Sequence, residues 1–465
     1  MTLRRGTIRR TLLVGLAATV LLCAGLGGYA FWLSRHKKET RPLLVVISGD
    51  TNGWITPCGC AVSQLGGLLR RGTYLKDARD RGDVIYADAG GAPAGTSDYQ
   101  RVKFEFILRG EMKLGLAAHN LGGGELALGS AYLRQLAHRT GVPFISANAR
   151  DDQGKPLADP AIIIQSAGRR VALVGVVSPR FAKGDVKIDD PREAVMSAIA
   201  PLAGKYDCLV ILAYLPDDEL QQLASALPEA HAVIGGPTGQ TIAPRQAGPT
   251  LLASATNKGK FLIELEQKPD ADVRLAGRVV EMNDTLPDDA RQLENLKCYL
   301  DELGQRDFRS DQTGLTSTIS ASRPADYAVA GSERCASCHD DDHVRWSWSR
   351  HGRAWDSLRR RKSQVDPGCQ VCHTTSYGLP GGFVSVSQSV AMMGVGCESC
   401  HGPSLAHVRN VKVKTPFVAR DQCLTCHDHE NSPDFDYAKY WTKIDHGQQK
   451  AVAPATQPTG REVAP

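Results

Sequence analysis

The sequence lacks a long run of basic residues, and it lacks stretches in which aromatic and basic residues alternate. Its 465 residues carry a formal net charge of only +5, spread along the chain. Proteins that bind nucleic acid usually concentrate positive charge on one face. We therefore expect no nucleic-acid partner.

Long apolar runs are also missing from residues 326–447, the C-terminal domain, where Trp, Gly, Pro and Ser are frequent. Such a segment cannot bury enough side chains to form a large core. Another group must therefore supply apolar surface. Residues 448–465 are predicted to form a disordered tail.

One long apolar run is present near the N-terminus. Residues 11–33 contain no charged side chain and are long enough to cross a bilayer as a helix. A cleaved signal peptide is the alternative. We expect segment 1–41 to be a single-pass anchor in the inner (cytoplasmic) membrane, with the bulk of the chain exported to the periplasm.

Residues 42–285 alternate short apolar runs typical of buried strands with segments of helical spacing. This alternation predicts an α/β layered domain, here called the front domain. Residues 286–325 are predicted to form a helical linker. The C-terminal domain is predicted to be mainly α, with little regular secondary structure.

Eight of the thirteen cysteines lie in the C-terminal domain, in four copies of the pattern Cys-x-x-Cys-His. In chain order the copies are Cys335, Cys338 and His339; Cys369, Cys372 and His373; Cys397, Cys400 and His401; and Cys423, Cys426 and His427.

This spacing has a chemical reason. Two thiols three residues apart reach the two vinyl groups of one haem, and the adjoining histidine becomes the proximal ligand of the iron. Zinc sites and disulfides are the alternatives, but neither requires a histidine after every second cysteine. The sequence therefore predicts four covalently bound c-type haems, which would also supply the missing apolar surface.

Histidines outside the motifs are candidates for the distal side of the iron. A haem that only passes electrons generally has both axial sites filled, whereas one that reacts with small molecules keeps one open. The candidates are His343, His351, His407, His429 and His446.

The segments "CASCH", "WSWSRHGRAWDSL", "CESCHGPSLAH" and "YWTKIDHG" resemble the tetrahaem cytochrome c family typified by the hydroxylamine-linked electron carrier of nitrifying bacteria. The resemblance covers the last part of the chain. It implies that His407 ligates the first haem, His351 the third and His446 the fourth. It also implies an open axial site on the second haem, the one held by His373.

The segments "VVISGDTNGW", "VIYADAGG" and "VALVGVVSP" resemble the calcineurin-like metallophosphoesterases, in particular the exported 5'-nucleotidases. This resemblance implies a β-sandwich flanked by helices, whose loops hold two metal ions. Asp50 keeps the first carboxylate of that family's D-x-H motif, and Glu125 keeps the Glu of its G-N-H-E motif. The other ligand positions are occupied by Asn52, Gly91, Gly123, Gly124, Tyr214, Pro237 and Gly239. A dinuclear site cannot be assembled from what remains, so we expect no phosphoesterase activity.

Cys58 and Cys60 follow the first strand close to Asp50. The three residues form a candidate second metal or thiol site, although the two cysteines also suit a structural turn around Gly59.

Electron transfer through four haems, with redox proteins as partners, is the leading functional hypothesis. An oxidoreductase that acts on a small nitrogen oxide or a peroxide at the second haem is the alternative. A working phosphoesterase is the least favoured hypothesis because of its missing ligands.

Overall fold

The computed structural model describes residues 41–57, 64–267, 275–315, 328–415, 419–429 and 431–446. The predicted membrane segment 11–33, Cys58, Cys60 and the tail 448–465 lie outside these residues. Within the described ranges, no helix combines the length and the apolar character that crossing a membrane requires.

The strands of the front domain are short and mostly buried. They are β1 (Leu43–Ser48), β2 (Asp83–Asp88), β3 (Leu116–Asn120), β4 (Phe144–Ile145), β5 (Ala149–Asp151), β6 (Ala161–Ser166), β7 (Arg169–Val177), β8 (Val186–Ile188), β9 (Cys208–Tyr214), β10 (Ala232–Gly236), β11 (Ile242–Ala247), β12 (Thr250–Ser254), β13 (Phe261–Gln267) and β14 (Ala276–Glu281). One six-stranded sheet has the order β14-β13-β1-β2-β3-β4, and the other has the order β11-β12-β10-β9-β7-β6.

Strand β1 shows why the apolar runs are continuous rather than alternating. Leu43, Val45 and Ile47 pack in the cluster between the two sheets, whereas Leu44 and Val46 pack in the cluster that includes the helices. A strand covered on both faces needs apolar residues at every position. The predicted α/β layered fold is confirmed by this arrangement.

Helices cover the outer faces of both sheets. They are α1 (Leu69–Arg81), α2 (Asp98–Lys113), α3 (Gly123–Leu126) and α4 (Ser130–Thr140) on the first sheet, and α5 (Pro191–Ile199) and α6 (Asp217–Ala226) on the second.

Helix α7 (Ala290–Arg306) lies where the linker is predicted, but it packs into the core of the front domain, so residues 286–315 are described below as part of that domain. Gln292 Nε2 donates a hydrogen bond to the carbonyl oxygen of Gly110 at 3.0 Å, and Asn295 Nδ2 donates to that of Phe106 at 2.8 Å. These bonds attach α7 to α2, so α7 packs on the front domain and is not a flexible connection between the two domains.

The C-terminal domain consists of short helices joined by turns. They are α8 (Ser332–Ala336), α9 (Asp340–Trp348), α10 (Ala354–Arg361), α11 (Pro367–His373), α12 (Cys397–His401), α13 (Leu405–Arg409), α14 (Ala419–Leu424) and α15 (Tyr437–Trp441). Trp355, Leu358, Tyr377 and Phe383 form its main apolar cluster. The helical character is as predicted, and so small a cluster suits a domain that needs another source of apolar surface.

Candidate functional site

Each Cys-x-x-Cys-His motif contains a turn of helix. In the first motif the backbone N–H of His339 donates to the carbonyl oxygen of Cys335 at 2.9 Å. In the fourth motif His427 donates in the same way to Cys423 at 2.8 Å. One helical turn brings residues three and four apart onto the same face, which gathers the two thiols and the imidazole of a motif.

The first, third and fourth motifs meet in space. The thiol of Cys335 is hydrogen-bonded to that of Cys397, and Cys400 lies close enough to Cys423 and Cys426 to interact electrostatically. All eight motif cysteines are described, and none of them forms a disulfide.

Two proximal histidines face a second histidine. The ring centres of His401 and His446 are 5.8 Å apart, and those of His351 and His427 are 6.2 Å apart. Two imidazoles on opposite sides of one metal ion, each with a bond of about 2 Å, have ring centres about 6 Å apart. The ring separations of both pairs agree with this value.

These contacts correct two of the partners implied by the family resemblance. His351 lies against His427 of the fourth motif, not against His401 of the third, and His446 lies against His401. Distance along the chain does not determine which motif a distant histidine reaches, because the short helices fold back on one another. The assignment of His407 to the first haem stays a prediction.

The hydrogen bonds of several ring Nδ1 atoms favour metal binding at the other nitrogen. A carbonyl oxygen can only accept, so an Nδ1 atom that faces one carries the proton and leaves Nε2 with a free lone pair. This geometry occurs at His373 with Ala354 at 3.0 Å, at His407 with Val413 at 2.8 Å and at His446 with Ile444 at 2.7 Å.

Burial also favours the ligating form of the ring. It lowers the pKa of His351, His373, His401 and His427, which favours neutral imidazole. The residues present therefore fit iron ligation at these positions.

The C-terminal part of the chain has recognisable relatives. The family described as cytochrome c554 and c-prime matches residues 334–402. Cytochrome c-554 of Nitrosomonas europaea is 30% identical over 156 residues, which cover 26% of this chain and 66% of that protein. The C-terminal domain is similar to cytochrome c554. This similarity indicates covalently bound c-type haem.

Two candidate histidines of the cytochrome c554-like domain have other surroundings. His343 packs against the Trp346 ring at 5.2 Å, and its Nε2 lies 3.8 Å from a carboxylate oxygen of Glu333. His429 is exposed. Neither residue lies in a ring pair like those of His401 and His427.

The second motif of this domain lies beside the main apolar cluster. Helix α10 carries Trp355 and Leu358 into that cluster, and Cys369 packs against it. The same helix supplies the carbonyl oxygen of Ala354 to His373. Helix α10 thus joins the apolar packing to the orientation of the second proximal histidine.

In the front domain, aromatic rings fill the position where the resemblance implies metal ions. A Cβ atom at Gly91 would lie 2.5 Å from the Tyr214 ring, one at Gly122 would lie 2.8 Å from it, and one at Gly123 would lie 2.7 Å from the Phe181 ring. The rings of Tyr214 and Phe181 are 5.1 Å apart. There is no room for ligand side chains at these positions, so the residues present do not fit a dinuclear metal centre.

The two retained carboxylates are bound by protein groups. Asp50 accepts hydrogen bonds from the Thr256 hydroxyl at 2.7 Å and from the backbone N–H of Asn257 at 3.0 Å. Glu125 accepts from three backbone N–H groups, those of Gly91, Ala92 and Gly122, at 2.8–3.0 Å. Cys58 and Cys60 lie outside the described residues, so their part in the candidate thiol site stays a prediction.

A buried ion network, centred on Arg71, adjoins these carboxylates. Arg71 is fully buried, and its guanidinium contacts Glu111 at 3.1 Å and Asp88 at 3.8 Å. His119 contacts Glu111 through Nδ1 at 2.9 Å and Glu125 through Nε2 at 3.1 Å. Burial alone would lower the pKa of His119, but its carboxylate neighbours, Glu111 first among them, raise it well above the usual value.

The ligand atoms of Asp88, Glu111 and His119 all lie within 4.8 Å of one another, a spacing that would also suit a metal ion. Both ring nitrogens of His119, however, already contact carboxylates, those of Glu111 and Glu125. Arg71 already supplies a permanent positive charge to the two carboxylates. We therefore interpret the cluster as an internal ion network.

Sequence reasoning missed this network, although one signal was available. Arg71 lies on the same stripe of helical spacing as Leu68, Leu75 and Ala78, all of which are buried. A charged residue within an apolar stripe indicates a buried partner of opposite charge.

The front domain is similar in fold to known structures. The sulfate thiohydrolase SoxB of Thermus thermophilus, in complex with glycerol, has a TM-score of 0.50 and 16% identity, over 60% of this chain and 62% of its own. A 5'-nucleotidase precursor from the same organism has a TM-score of 0.49 and 21% identity, over 57% of this chain and 59% of its own. Likeness at such identities concerns the fold alone. The chain spans less than two thirds of the length of these proteins and of the cytochrome.

Proposed function

We propose that the protein is an exported multihaem c-type cytochrome that transfers electrons through four covalently bound haems. The observation that carries the proposal is the presence of two histidine pairs, His351 with His427 and His401 with His446, whose ring separations agree with two imidazoles on one iron. Filled axial sites are typical of haems that pass electrons without binding substrate.

The placement of the motifs supports passage of electrons from one haem to another. Three of the four motifs have cysteines close to those of another motif. Cofactors attached to these thiols would have neighbouring edges. The chain's own residues contribute attachment through the cysteines and orientation through the histidine Nδ1 bonds.

Export and membrane anchoring are part of the proposal. Residues 11–33 would form the anchor, and the cytochrome would work at the periplasmic face of the inner membrane with redox proteins as partners. Covalent haem attachment, which is typical of exported cytochromes, agrees with this location. Extraction tests the anchor, because an anchored protein stays with the membrane in high salt and is released by detergent.

We propose that the front domain has lost phosphoesterase activity. Its lost ligand positions support this, since a Cβ atom at Gly91 would meet the Tyr214 ring and one at Gly123 would meet the Phe181 ring. Hydrolysis of a phosphate ester that chelation abolishes and that Asp50→Ala removes would overturn this part of the proposal.

A potentiometric titration of the haem-loaded full chain, followed by absorbance with and without carbon monoxide, tests the electron-transfer function. A carrier shows several reversible one-electron steps and a reduced spectrum that carbon monoxide leaves unchanged. Carbon monoxide binding to one haem would favour the alternative function, an oxidoreductase that acts on a nitrogen oxide or a peroxide at His373.

A further inference from the structure

The front domain and the second haem motif are joined by a buried contact. Asp366 directly precedes helix α11, which carries Cys369, Cys372 and His373, and it caps this helix by accepting from the backbone N–H of Gly368 at 2.9 Å. Such a cap satisfies one of the N–H groups that a helix start leaves without a partner.

Two tyrosines of the front domain hold this capping carboxylate. The Tyr99 hydroxyl, on α2, donates to Asp366 Oδ1 at 2.6 Å, and the Tyr299 hydroxyl, on α7, donates to Oδ2 at 3.2 Å. Tyr99 is 0% exposed and Tyr299 is 1% exposed. Hydrogen bonds to a charged acceptor are stronger than those between neutral groups, and burial shields these two from water.

Further bonds from the same side of the front domain reach the chain that follows the second motif. Asp307, at the end of α7, accepts from the backbone N–H groups of Val386 and Ser387 at 2.9 and 3.1 Å. Tyr377 of the main apolar cluster donates to the Thr313 hydroxyl at 3.1 Å. The helix that holds the second haem is therefore tied to the front domain both before and after the motif.

We propose that Tyr99 and Tyr299 position the second haem by fixing Asp366, the residue that caps its binding helix. The front domain, having lost its metal centre, acts as a rigid support for this haem and sets the surroundings of its iron through helix α11. The proposal rests on the haem attachment proposed above and adds a role that the cytochrome c554-like domain alone does not have.

The test uses the haem-loaded full chain with both tyrosines changed, Tyr99→Phe and Tyr299→Phe. Phenylalanine keeps the ring packing and removes the two donors. Tyr132→Phe is the matched control, because the Tyr132 hydroxyl also donates to a carboxylate of the front domain, Glu105 at 2.9 Å, on a part of α2 away from Asp366.

Two readouts are followed. Hydrogen exchange of residues 366–373 reports how often the helix opens, and the midpoint potential of the second haem reports its surroundings. A Cys369→Ala, Cys372→Ala variant, which lacks this haem, identifies its signal among the four.

We expect the double variant to keep its haem content and to exchange residues 366–373 about tenfold faster or more, as the loss of bonds to a charged group implies. The potential of the second haem should change, while those of the other three stay as in the wild type. The Tyr132→Phe control should match the wild type in both readouts.

Unchanged exchange and an unchanged potential in the double variant would overturn the proposal. If the double variant does not accumulate, Tyr299→Phe alone, which removes the longer bond, is measured in the same way and is decided by the same outcome. A wild-type protein without covalent haem at Cys369 and Cys372 would instead refute the haem attachment itself, so the two failures are distinguishable.

Discussion

Replacing Arg71 with Met would test how much the internal ion network stabilises the front domain. Methionine preserves much of the length of the side chain and removes its charge. Arg71 is completely buried, 3.1 Å from Glu111 and 3.8 Å from Asp88. The substitution would leave these carboxylates buried with only His119 as a positive partner.

The expected loss in the free energy of unfolding follows from the burial of this ion pair. Removing one partner of a buried ion pair costs about 3–5 kcal/mol, because the remaining charge stays desolvated without compensation. Whole domains are stable by only about 5–15 kcal/mol, so the front domain would lose a large part of its stability. With a urea dependence of about 1–3 kcal/mol per molar, the unfolding midpoint should fall by more than about 1 M.

Burial raises the pKa of Glu111 to about 7 in the wild-type network. A carboxyl whose folded pKa lies above its unfolded value of 4.5 contributes most to stability at low pH, and this contribution is lost as the pH rises through about 7. Without Arg71 the charged form of Glu111 is disfavoured further. The difference in stability between variant and wild type should therefore narrow as the pH falls below 7.

The assay is urea unfolding of the haem-loaded full chain by circular dichroism, with hydrogen exchange of β2 to assign the front-domain transition. Arg180→Met is the control, since Arg180 pairs with Asp218 at the surface, where both side chains are more than half exposed. Exposed pairs contribute little, so this variant should match the wild type. An Arg71→Met protein as stable as the wild type would show that the Arg71 ion pairs do not stabilise the front domain.

Three further outcomes are expected. Burial opposes ionisation of Glu264, but three hydrogen-bond donors lower its pKa to about 2. The free energy of unfolding should therefore fall as the pH drops from 4.5 through about 2. In a series of urea midpoints measured at different pH values, Glu264→Gln should make this decrease smaller. His446→Ala should convert the haem of His401 from low spin to high spin in electron paramagnetic resonance, whereas a change at another haem would contradict the pairing found here. Gly91→Asp should bind no divalent metal by calorimetry, because a Cβ atom there would lie 2.5 Å from the Tyr214 ring, and metal binding would show that this ring can move aside.

The fold of the front domain could be predicted largely from local pattern. Buried strands and helices have distinct apolar spacings, and helix α4, for example, buries Leu133 and Leu136, three residues apart. The role of α7 was less predictable. Its sequence indicates a helix, but only the bonds of Gln292 and Asn295 to α2 show where that helix packs.

The candidate haem sites were predictable to the extent that their chemistry is local. Two cysteines and a histidine within five residues identify an attachment site without any knowledge of the fold. A distal ligand comes from elsewhere in the chain, so its partner depends on tertiary structure. For this reason the resemblance implied His351 for the third motif and His446 for the fourth, whereas the structure places His351 beside His427 of the fourth motif and His446 beside His401 of the third.

The intact mass of the purified, denatured chain tests the central claim most directly. Thioether bonds survive denaturation, whereas metal ions and non-covalent cofactors are lost. We expect a mass that exceeds that of the polypeptide by four haem groups, with peptides containing each Cys-x-x-Cys-His motif carrying one haem apiece. A mass equal to that of the polypeptide alone, or motif peptides with free thiols, would contradict it.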